Sequence, residues 1–478
     1  MITKALLQLG AELLFEFRRA NGPADRELAA YIRERKFLGA KDKAFLSDCF
    51  FHVLRHLRRF DEAILSAFAG TVVAETRFSS GFPVTTEVGA RLWLRADGTP
   101  KEVTRQTSAD RAVDTIRMGL AAVELQYEQA AVVAEELIRF WPTPSTHVAV
   151  QAPSMTRMME RAVEVADLYK TPKKILDEDR AFSFPIWLWA RLAQGRTAAE
   201  LRALGESLNA QAPVGMRINT LKTTVEAAEA ALAESKTSFE RSALVPGGLM
   251  LRQRITRMAL PNMTEGWFET QDEGSQLVGV HVGVQPGMTV IDACAGAGGK
   301  TLQLAALMEN KGRIYAFDIE SSRLESLQRR AARAGVTIVD ASTPLKKTGE
   351  PAAAVPPADI VLVDAPCSGL GTLRRSPDGK WRLSPARLEY YKQSQRELLE
   401  QWSRFVKPGG TLVYATCSLL AEENEIQAAA FLNAHKDFRF ASAPADFPVK
   451  LSTNGELKLS PSANGTDGFY SVRFTRTA

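Results

Sequence analysis

The amino-acid sequence predicts an α/β protein whose last part is a parallel β-sheet with helices on both faces. Residues 281–478 alternate short apolar strands with helices, starting with a strand at 288–294 and a helix at 301–309. Strands that are apolar throughout indicate a sheet buried on both sides. A glycine-rich loop follows the first strand, and acidic residues end several of the others. This pattern is typical of a doubly wound, Rossmann-like domain.

Residues 1–170 predict a different, mostly helical domain. Leu6, Leu13 and Leu14 recur at helical spacing, and the pattern continues through the following residues. It is interrupted at residues 71–100 by β-branched pairs and an Asp-Gly turn, which predict an inserted hairpin.

Residues 171–280 predict a small α+β module between these two domains. A polar linker at 168–185 leads into a strand-like segment at 214–222 and an alanine-rich helix at 225–234. We therefore expect three domains, the last of which is the Rossmann-like domain at 281–478.

The composition is that of a globular protein. The chain has 478 residues, of which 45% are apolar and 24% are charged, and a net charge of +5. No stretch reaches the roughly 18 uninterrupted apolar residues of a membrane helix. Acidic Glu12 and Glu16 interrupt the N-terminal apolar stretch, and no small-residue cleavage site follows it. We expect a cytoplasmic protein that does not bind a membrane.

The four cysteines predict neither a disulfide framework nor a metal site. They are Cys49, Cys294, Cys367 and Cys417; no two form a C-x-x-C pair, and the histidines are distant in sequence. A long chain without a secretion signal seldom carries structural disulfides. We therefore expect these cysteines to act, where they act, as thiols.

Basic residues concentrate in two segments. Residues 1–60 hold 12 basic and 7 acidic side chains, and residues 367–396 hold seven basic and two acidic ones. Trp381, Tyr390 and Tyr391 lie within the second segment. Cations interleaved with aromatic rings are typical of surfaces that bind single-stranded nucleic acid. A solvated protein surface is the alternative interpretation.

The glycine-rich loop spans Asp292 to Thr301 and fails both common nucleotide-binding patterns by one residue. A P-loop requires glycine at the position that holds Cys294. A dinucleotide-binding loop requires glycine or alanine at the position that holds Thr301.

Acidic residues at the ends of successive strands favour a third interpretation. Asp318, Asp340 and Asp364 each end a strand-like segment, and the carboxyl ends of parallel strands meet at one edge of the sheet. Asp318 is well placed to bind a ribose diol. A ligand with an adenosine, a ribose and a zwitterion, but no phosphate, fits these groups. The sequence therefore predicts binding of S-adenosylmethionine.

Two cysteines follow buried strands on this same edge. Cys367 lies in Asp-Ala-Pro-Cys-Ser-Gly and Cys417 in Ala-Thr-Cys-Ser. A thiolate that attacks carbon 6 of cytosine turns carbon 5 into an enamine carbon able to accept a methyl group. Asp364, three residues before Cys367, is in position to stabilise the adduct at the N3/N4 edge of the base. The spacing alone does not say which cysteine is the nucleophile.

Several segments together resemble the Sun/RsmB-type RNA cytosine-5 methyltransferases. The segments are DACAGAGGKT, AFDIESSRL, VDAPCSGLGTLRRSPDGKW, YATCSLLAEENE and GTDGFYSVRF. The resemblance extends upstream, where residues 207–222 and 266–278 are similar to the small RNA-binding module of the family. Residues 24–55 look like its NusB-like helical domain.

The resemblance implies a role for each matching residue. Cys417 is implied to be the nucleophile and Cys367 to assist product release, and Asp364 remains the residue expected from its position to activate the cytosine. The implied S-adenosylmethionine site comprises Cys294, Ala295, Gly296, Ala297, Gly298, Gly299, Lys300, Asp318, Asp340 and Asp364. The loop departs from the usual Ala-Pro-Gly-Gly-Lys of the family, because this chain has Gly296-Ala297 before its Gly-Gly-Lys.

A NusB-like domain implies, within the family, that the RNA partner is 16S ribosomal RNA of the small subunit. We expect the chain to act as a monomer. A tRNA methyltransferase and a non-catalytic ribosome-assembly factor that binds RNA are the alternatives. A P-loop enzyme is disfavoured by Cys294.

Overall fold

The structure is a computed structural model, described over the greater part of the chain. The described residues are 4–20, 22–69, 108–125, 182–251, 260–342, 345, 349, 351, 353–444 and 447–477. The hairpin predicted at 71–100 and most of the linker predicted at 168–185 lie outside these residues.

Helices and strands are numbered in chain order over the described residues. The helices are α1 (Lys4–Arg19), α2 (Ala24–Glu34), α3 (Ala40–Ala69), α4 (Ser108–Glu124), α5 (Ile186–Ala193), α6 (Ala198–Asn209), α7 (Val225–Glu234), α8 (Glu273–Val282), α9 (Gly299–Leu307), α10 (Ser321–Ala334), α11 (Gly379–Arg382), α12 (Pro385–Ser403), α13 (Glu425–Ala434) and α14 (Pro461–Asn464). The strands are β1 (Val214–Ile218), β2 (Phe239–Arg241), β3 (Gly248–Leu251), β4 (Phe268–Thr270), β5 (Thr289–Asp292), β6 (Arg313–Ala316), β7 (Val339–Asp340), β8 (Ala358–Asp364), β9 (Val406–Thr416), β10 (Phe438–Phe440), β11 (Leu457–Leu459) and β12 (Phe469–Arg476).

The chain divides into two compact units. The first comprises Met1–Asn209 and Arg375–Arg382, and the second comprises Ala210–Arg374 and Leu383–Ala478. The short segment Arg375–Arg382, which follows the Cys367 motif, thus belongs to the first unit. The division into three domains expected from the sequence remains a proposal.

In the first unit, α1 packs against α3 and α4 around a core of leucine and phenylalanine side chains. A buried ion-pair network supplements this apolar core. The guanidinium of Arg117 is fully buried and donates to Asp61 at 2.8 Å and to Asp114 at 2.5 Å. A buried cation with two carboxylate partners is stable because its hydrogen-bond donors are satisfied.

Two residues of the segment Arg375–Arg382 are buried inside the first unit. The indole of Trp381 donates to the carbonyl of Leu54 at 2.7 Å. The ammonium of Lys380 donates to the carbonyl of Arg55 at 2.8 Å and lies over the ring of Phe184. Burial lowers the pKa of Lys380 well below its ordinary value.

The nucleic-acid surface predicted at residues 367–396 is therefore wrong in part. Trp381 and Lys380 are buried, and buried Arg374 donates to Asp467 at 2.9 Å. These side chains cannot stack on bases or bind phosphates. Tyr390 is 68% exposed, and Arg387 and Arg396 are also at the surface. Sequence patterning missed the burial because it does not show which cations face a carbonyl or a carboxylate in the fold.

The second unit contains a small sheet and a large one. The small antiparallel sheet has the order β2-β3-β1-β4, and α7 packs on it around Met216, Leu232 and Phe268. The α+β character predicted for residues 214–234 is present in this sheet and helix.

The large sheet has the order β10-β12-β9-β8-β5-β6-β7, with β11 paired to β12. Strands β5 to β9 run parallel to their neighbours within this group, whereas β12 is antiparallel to β9. The chain proceeds from β5 to β7 on one side and then crosses to β8 on the other side of β5. This reversal opens a crevice at the carboxyl ends of β5 and β8, where α/β sheets bind ligands.

The predicted α/β fold is confirmed. The strands predicted at 288–294, 313–319, 359–366 and 410–418 correspond to β5, β6, β8 and β9, and the helix predicted at 321–335 corresponds to α10. The first unit is helical, as a NusB-like domain would be. Among the described helices, none is both long and apolar enough to span a membrane.

Candidate active site

The glycine-rich loop joins β5 to α9 and leaves open space above its backbone. Gly296 and Gly298 have φ angles of 54° and 89°, a region that favours glycine. A side chain at Gly298 would also lie 2.7 Å from Leu327. A Cβ placed at Gly296 or Gly299 would meet no atom within 4 Å. The loop is thus a cradle that a ligand can approach closely at the N-terminus of α9.

Asp318, in the loop between β6 and α10, holds this cradle in place. Its carboxylate accepts the backbone N–H of Gly296 at 2.9 Å and that of Glu320 at 2.8 Å. The next residue, Ile319, is 82% exposed, which is unusual for a large apolar side chain. Ile319 was not predicted from the sequence as a site residue, and its position directly after Asp318 was the available signal.

Asp340 ends β7, the outermost strand of the parallel group. Its carboxylate accepts hydrogen bonds from Arg313 at 2.7 Å and from the Ser342 hydroxyl at 2.6 Å. The hydrogen bond from Ser342 is the main cause of a lowered Asp340 pKa. The carboxylate is therefore ionised, at the same sheet edge as Asp318.

Beneath the glycine loop lies the buried carboxyl group of Asp292, the last residue of β5. The Thr301 hydroxyl donates to it at 2.7 Å. Burial raises the pKa of Asp292 to about 7. Burial also raises the pKa of the Cys294 thiol, and Asp292 adds to that shift. Cys294 is consequently a neutral thiol in the wall of the loop.

Lys300 joins the glycine loop to the end of β8. Its ammonium donates to Asp364 at 2.7 Å and lies 5.3 Å from the ring centre of Phe469. Burial alone would lower the pKa of Lys300, but the charge of Asp364 and its hydrogen bond raise it. The charge of Cys417 raises this pKa further. Lys300 is thus a cation that is held in place by Asp364.

The structure brings the two predicted site cysteines into contact. The sulfur atoms of Cys367 and Cys417 are 3.4 Å apart, although the residues follow different strands. The hydrogen bond to Cys417 is the largest cause of a raised Cys367 pKa, followed by burial. A raised pKa keeps Cys367 protonated, so that only one of two adjacent thiols ionises at a time.

The predicted site residues form two neighbouring groups at one edge of the sheet. Asp318 and the glycine loop form the first group, and Asp364 forms the second with Cys367 and Cys417. Lys300 links them. A buried residue that the sequence analysis did not single out, Glu423, contacts the loops of both cysteines. Its presence in the Glu-Glu-Asn-Glu run shortly after Cys417 was the available signal.

Three features together define the class of this protein: the parallel sheet, the glycine cradle without a phosphate-binding pattern and the acids that follow the strands. These features are typical of an S-adenosylmethionine-dependent methyltransferase. S-adenosylmethionine is the methyl donor of this chain.

Comparisons with known proteins identify the family. Residues 280–475 match the family described as 16S rRNA methyltransferase RsmB/F, and residues 184–256 match the ferredoxin-like domain of RsmF/B-like methyltransferases. A "Probable ribosomal RNA small subunit methyltransferase B" from Synechocystis sp. is 37% identical over 334 residues, which cover 66% of this chain and 72% of that protein. The chain belongs to the RsmB/F family and is an RNA methyltransferase.

Solved structures agree with this assignment. The crystal structure of PH0851 matches with a TM-score of 0.69 at 26% identity and covers 99% of both chains. A methyltransferase homologue from Pyrococcus horikoshii matches with a TM-score of 0.54 at 27% identity, over 64% of this chain and 99% of that one. The resemblance to the Sun/RsmB-type family is confirmed.

Proposed function

We propose that this enzyme methylates carbon 5 of a cytosine in 16S ribosomal RNA through a covalent adduct between Cys417 and carbon 6. The observation that carries the proposal is the contact between Cys367 and Cys417, 3.4 Å apart, next to the Lys300–Asp364 pair. A thiol nucleophile and a carboxyl group are the protein groups that we expect this reaction to use.

The residues around the glycine loop fit S-adenosylmethionine. The open space above Gly296 and Gly299 accommodates a ligand against the backbone, and exposed Ile319 offers an apolar surface to a flat ring. We assign binding to the segment Cys294–Lys300 together with Asp318, Asp340 and Asp364. When bound, S-adenosylmethionine supplies an electrophilic methyl group.

Cys417 is the residue that we assign as nucleophile. The sulfur of Cys417 forms a bond to carbon 6 of the cytosine as a thiolate, the nucleophilic form of a cysteine. Asp364 binds the N3/N4 edge of the base and stabilises the adduct. Carbon 5 then gains the methyl group and loses its proton, and the sulfur–carbon bond breaks to restore the aromatic ring.

Cys367 is assigned to this last stage. It remains a neutral thiol next to Cys417, at the distance at which a general acid or base acts on an adduct held by the first sulfur. Once the sulfur of Cys417 is bonded to carbon 6, it no longer raises the Cys367 pKa through its hydrogen bond and charge. We propose that Cys367 then ionises, accepts the carbon 5 proton as a thiolate and so assists release of the product.

Small-subunit ribosomal RNA is the substrate that the family and its relatives support. The relatives carry the name ribosomal RNA small subunit methyltransferase B. In the helical first unit, Arg33 and Lys36 are exposed and available to RNA phosphates.

The experiment is a methyl-transfer assay with labelled S-adenosylmethionine and 16S ribosomal RNA. Cys417→Ala is expected to abolish transfer while S-adenosylmethionine still binds. Cys367→Ala is expected to accumulate a covalent enzyme–RNA adduct. Cys49→Ala, which removes a buried thiol of the first unit, is the matched control and should retain activity. Full activity in Cys417→Ala would refute the assigned roles.

Bisulfite sequencing of ribosomal RNA from cells with and without the gene then locates the substrate. Loss of one 5-methylcytosine from 16S RNA supports the proposal. Loss of a 5-methylcytosine from tRNA instead would mean that tRNA is the substrate. If neither RNA loses a 5-methylcytosine, the chain is better explained as a non-catalytic assembly factor.

A further inference from the structure

Glu423 lies at the point where the loops of the two site cysteines meet. It ends a 3-10 turn (Ala421–Glu423) six residues after Cys417, and its side chain is fully buried. A buried carboxylate needs several donors to compensate for the water it has lost. The identity and position of those donors give this residue a specific function.

The donors come from the residues that flank both cysteines. Oε1 of Glu423 accepts the backbone N–H of Ser368 at 2.8 Å, and Oε2 accepts the hydroxyl groups of Ser368 and Ser418. Ser368 directly follows Cys367, and Ser418 directly follows Cys417. One carboxylate therefore joins the two cysteine loops, which belong to different strands.

Gln395 of α12 extends this connection to the other side of Cys367. Its amide donates to Oε1 of Glu423 at 3.1 Å and to the carbonyl of Pro366 at 2.9 Å. The residues before and after Cys367 are thus both fixed. The backbone of Cys417 is tied to the same loop, because its carbonyl accepts the N–H of Gly371 at 2.9 Å.

We propose that Glu423 is a positioning residue that sets the distance between the two site sulfurs, and so the rate of the covalent reaction. The inference rests on the proposed function and adds to it. Cys417 must approach carbon 6 while Cys367 faces the same adduct, and an error of about 1 Å in such an arrangement can cost ~100-fold in rate. Glu423 acts through the two loops and does not itself touch the base.

The hydrogen-bond pattern predicts a graded response to substitution. In Glu423→Gln, the side-chain oxygen can still accept hydrogen bonds from the Ser368 N–H and from Gln395. The amide nitrogen then faces the hydroxyl groups of Ser368 and Ser418, which can rotate to accept a hydrogen bond. Glu423→Ala loses every one of these bonds. The expected order is wild type, then Glu423→Gln, then Glu423→Ala.

The first measurement uses purified enzyme without RNA. Diamide oxidises two neighbouring thiols to a disulfide and is itself reduced to a hydrazine, and the Cys367–Cys417 cross-link is quantified by mass spectrometry. Sulfur atoms in contact should cross-link rapidly in the wild type. The rate should fall about tenfold in Glu423→Ala, since the loops are no longer held together.

The second measurement is steady-state methylation of RNA. The value of kcat should fall by roughly 10-fold in Glu423→Gln and ~100-fold in Glu423→Ala, with little change in either KM, because positioning affects the reaction more than binding. Glu456→Gln is the matched control. Glu456 is also a buried carboxylate that accepts hydroxyl groups, from Tyr470 at 2.7 Å and Ser452 at 2.9 Å, but it does not contact either cysteine loop.

The melting temperature of each variant is measured, so that all rates are compared at a temperature at which every variant is folded. Slower cross-linking and a lower kcat in the Glu423 variants, but not in Glu456→Gln, support the inference. Equal cross-linking rates and equal kcat values in the Glu423 and Glu456 variants overturn the inference. If the wild type methylates no RNA, the proposed function fails, yet the cross-linking rates still test the positioning role.

Discussion

The ammonium of Lys300 and the carboxylate of Asp364 are 2.7 Å apart, and this pair connects the glycine loop with the strand end that precedes Cys367. Lys300 is one-tenth exposed, so the attraction is only weakly screened by water. The carboxylate raises the pKa of Lys300, which therefore stays a cation before any ligand binds. In the proposed mechanism this cation stabilises the charge that develops at the site.

We predict that Lys300→Met lowers kcat by about 10²- to 10³-fold, in the range seen when a preorganised electrostatic partner is removed. The substitution removes the ion-pair partner of Asp364 and the cation next to the two site cysteine loops. The measurement is kcat for methyl transfer, with the Kd for S-adenosylmethionine obtained in parallel by calorimetry.

Lys311→Met is the control for that substitution. Lys311 pairs with Glu309 at 2.7 Å, but both side chains are about two-thirds exposed. An exposed pair contributes little, so this variant should keep both kcat and stability. Comparable activity in the two variants would show that the Lys300 charge is dispensable.

The raised pKa of Asp292 leads us to expect that the stability of the protein falls as the pH rises toward 7. Its pKa is about 7 in the folded protein against an ordinary value of 3.8. Because the folded pKa is raised, the stabilisation is complete below pH 3.8 and is lost as the pH rises through 7. The difference of about three pKa units corresponds to roughly 4 kcal/mol at most.

Asp292→Asn should remove this dependence, because a neutral amide can still accept the Thr301 hydroxyl. The free energy of unfolding by urea, measured at pH 5 and at pH 8, should fall less with pH in the variant than in the wild type. An identical pH dependence in both proteins would mean that Asp292 titrates normally.

The sequence was sufficient to predict the sheet and several residues that meet at one edge of it. Apolar strands followed by glycine or acid place Asp318, Asp364 and Cys417 at one edge, because the carboxyl ends of parallel strands always share an edge. These features are local in sequence and depend little on the rest of the fold.

The residues that the sequence analysis misassigned depend on contacts between distant parts of the chain. Lys380 and Trp381 resembled a surface segment, but they are buried against residues more than 300 positions earlier. Glu423 looked like one acid among several, and its function follows only from Ser368, 55 residues away. Neither the burial of Lys380 and Trp381 nor the link between Glu423 and Ser368 has a periodicity that could reveal it.

Glu269 of β4 connects the small sheet to α10. Its buried carboxylate accepts a hydrogen bond from Arg330 at 2.7 Å and also pairs with Arg333. The two arginines lower its pKa despite burial, so this stabilisation is present above pH 4.5 and is lost as the pH falls through the folded value. Arg330 also donates to the carbonyl of Ala297 in the glycine loop, at 2.6 Å.

Glu269→Gln should destabilise the protein by about 2–3 kcal/mol at pH 7, below the usual 3–5 kcal/mol of a broken buried pair because both arginines keep some exposure. Chemical denaturation measures this change. Glu320→Gln, which removes an exposed partner of Arg323, should change stability by less than about 0.5 kcal/mol. Equal effects of the two substitutions would contradict the assigned importance of burial.

We expect the buried side chain of Trp381 to hold the segment Arg375–Arg382 in the first unit. The side chain is 4% exposed, and its indole N–H donates to the carbonyl of Leu54. Trp381→Ala removes a large buried ring and should cost about 3–5 kcal/mol of stability. Trp381→Phe keeps most of the ring contact and loses the hydrogen bond, and should cost only ~1–3 kcal/mol. Thermal melting and limited proteolysis after Arg375 report the two effects. If Trp381→Ala melts like the wild type and resists cleavage equally, the segment is held by its other contacts, such as the one between Lys380 and Arg55.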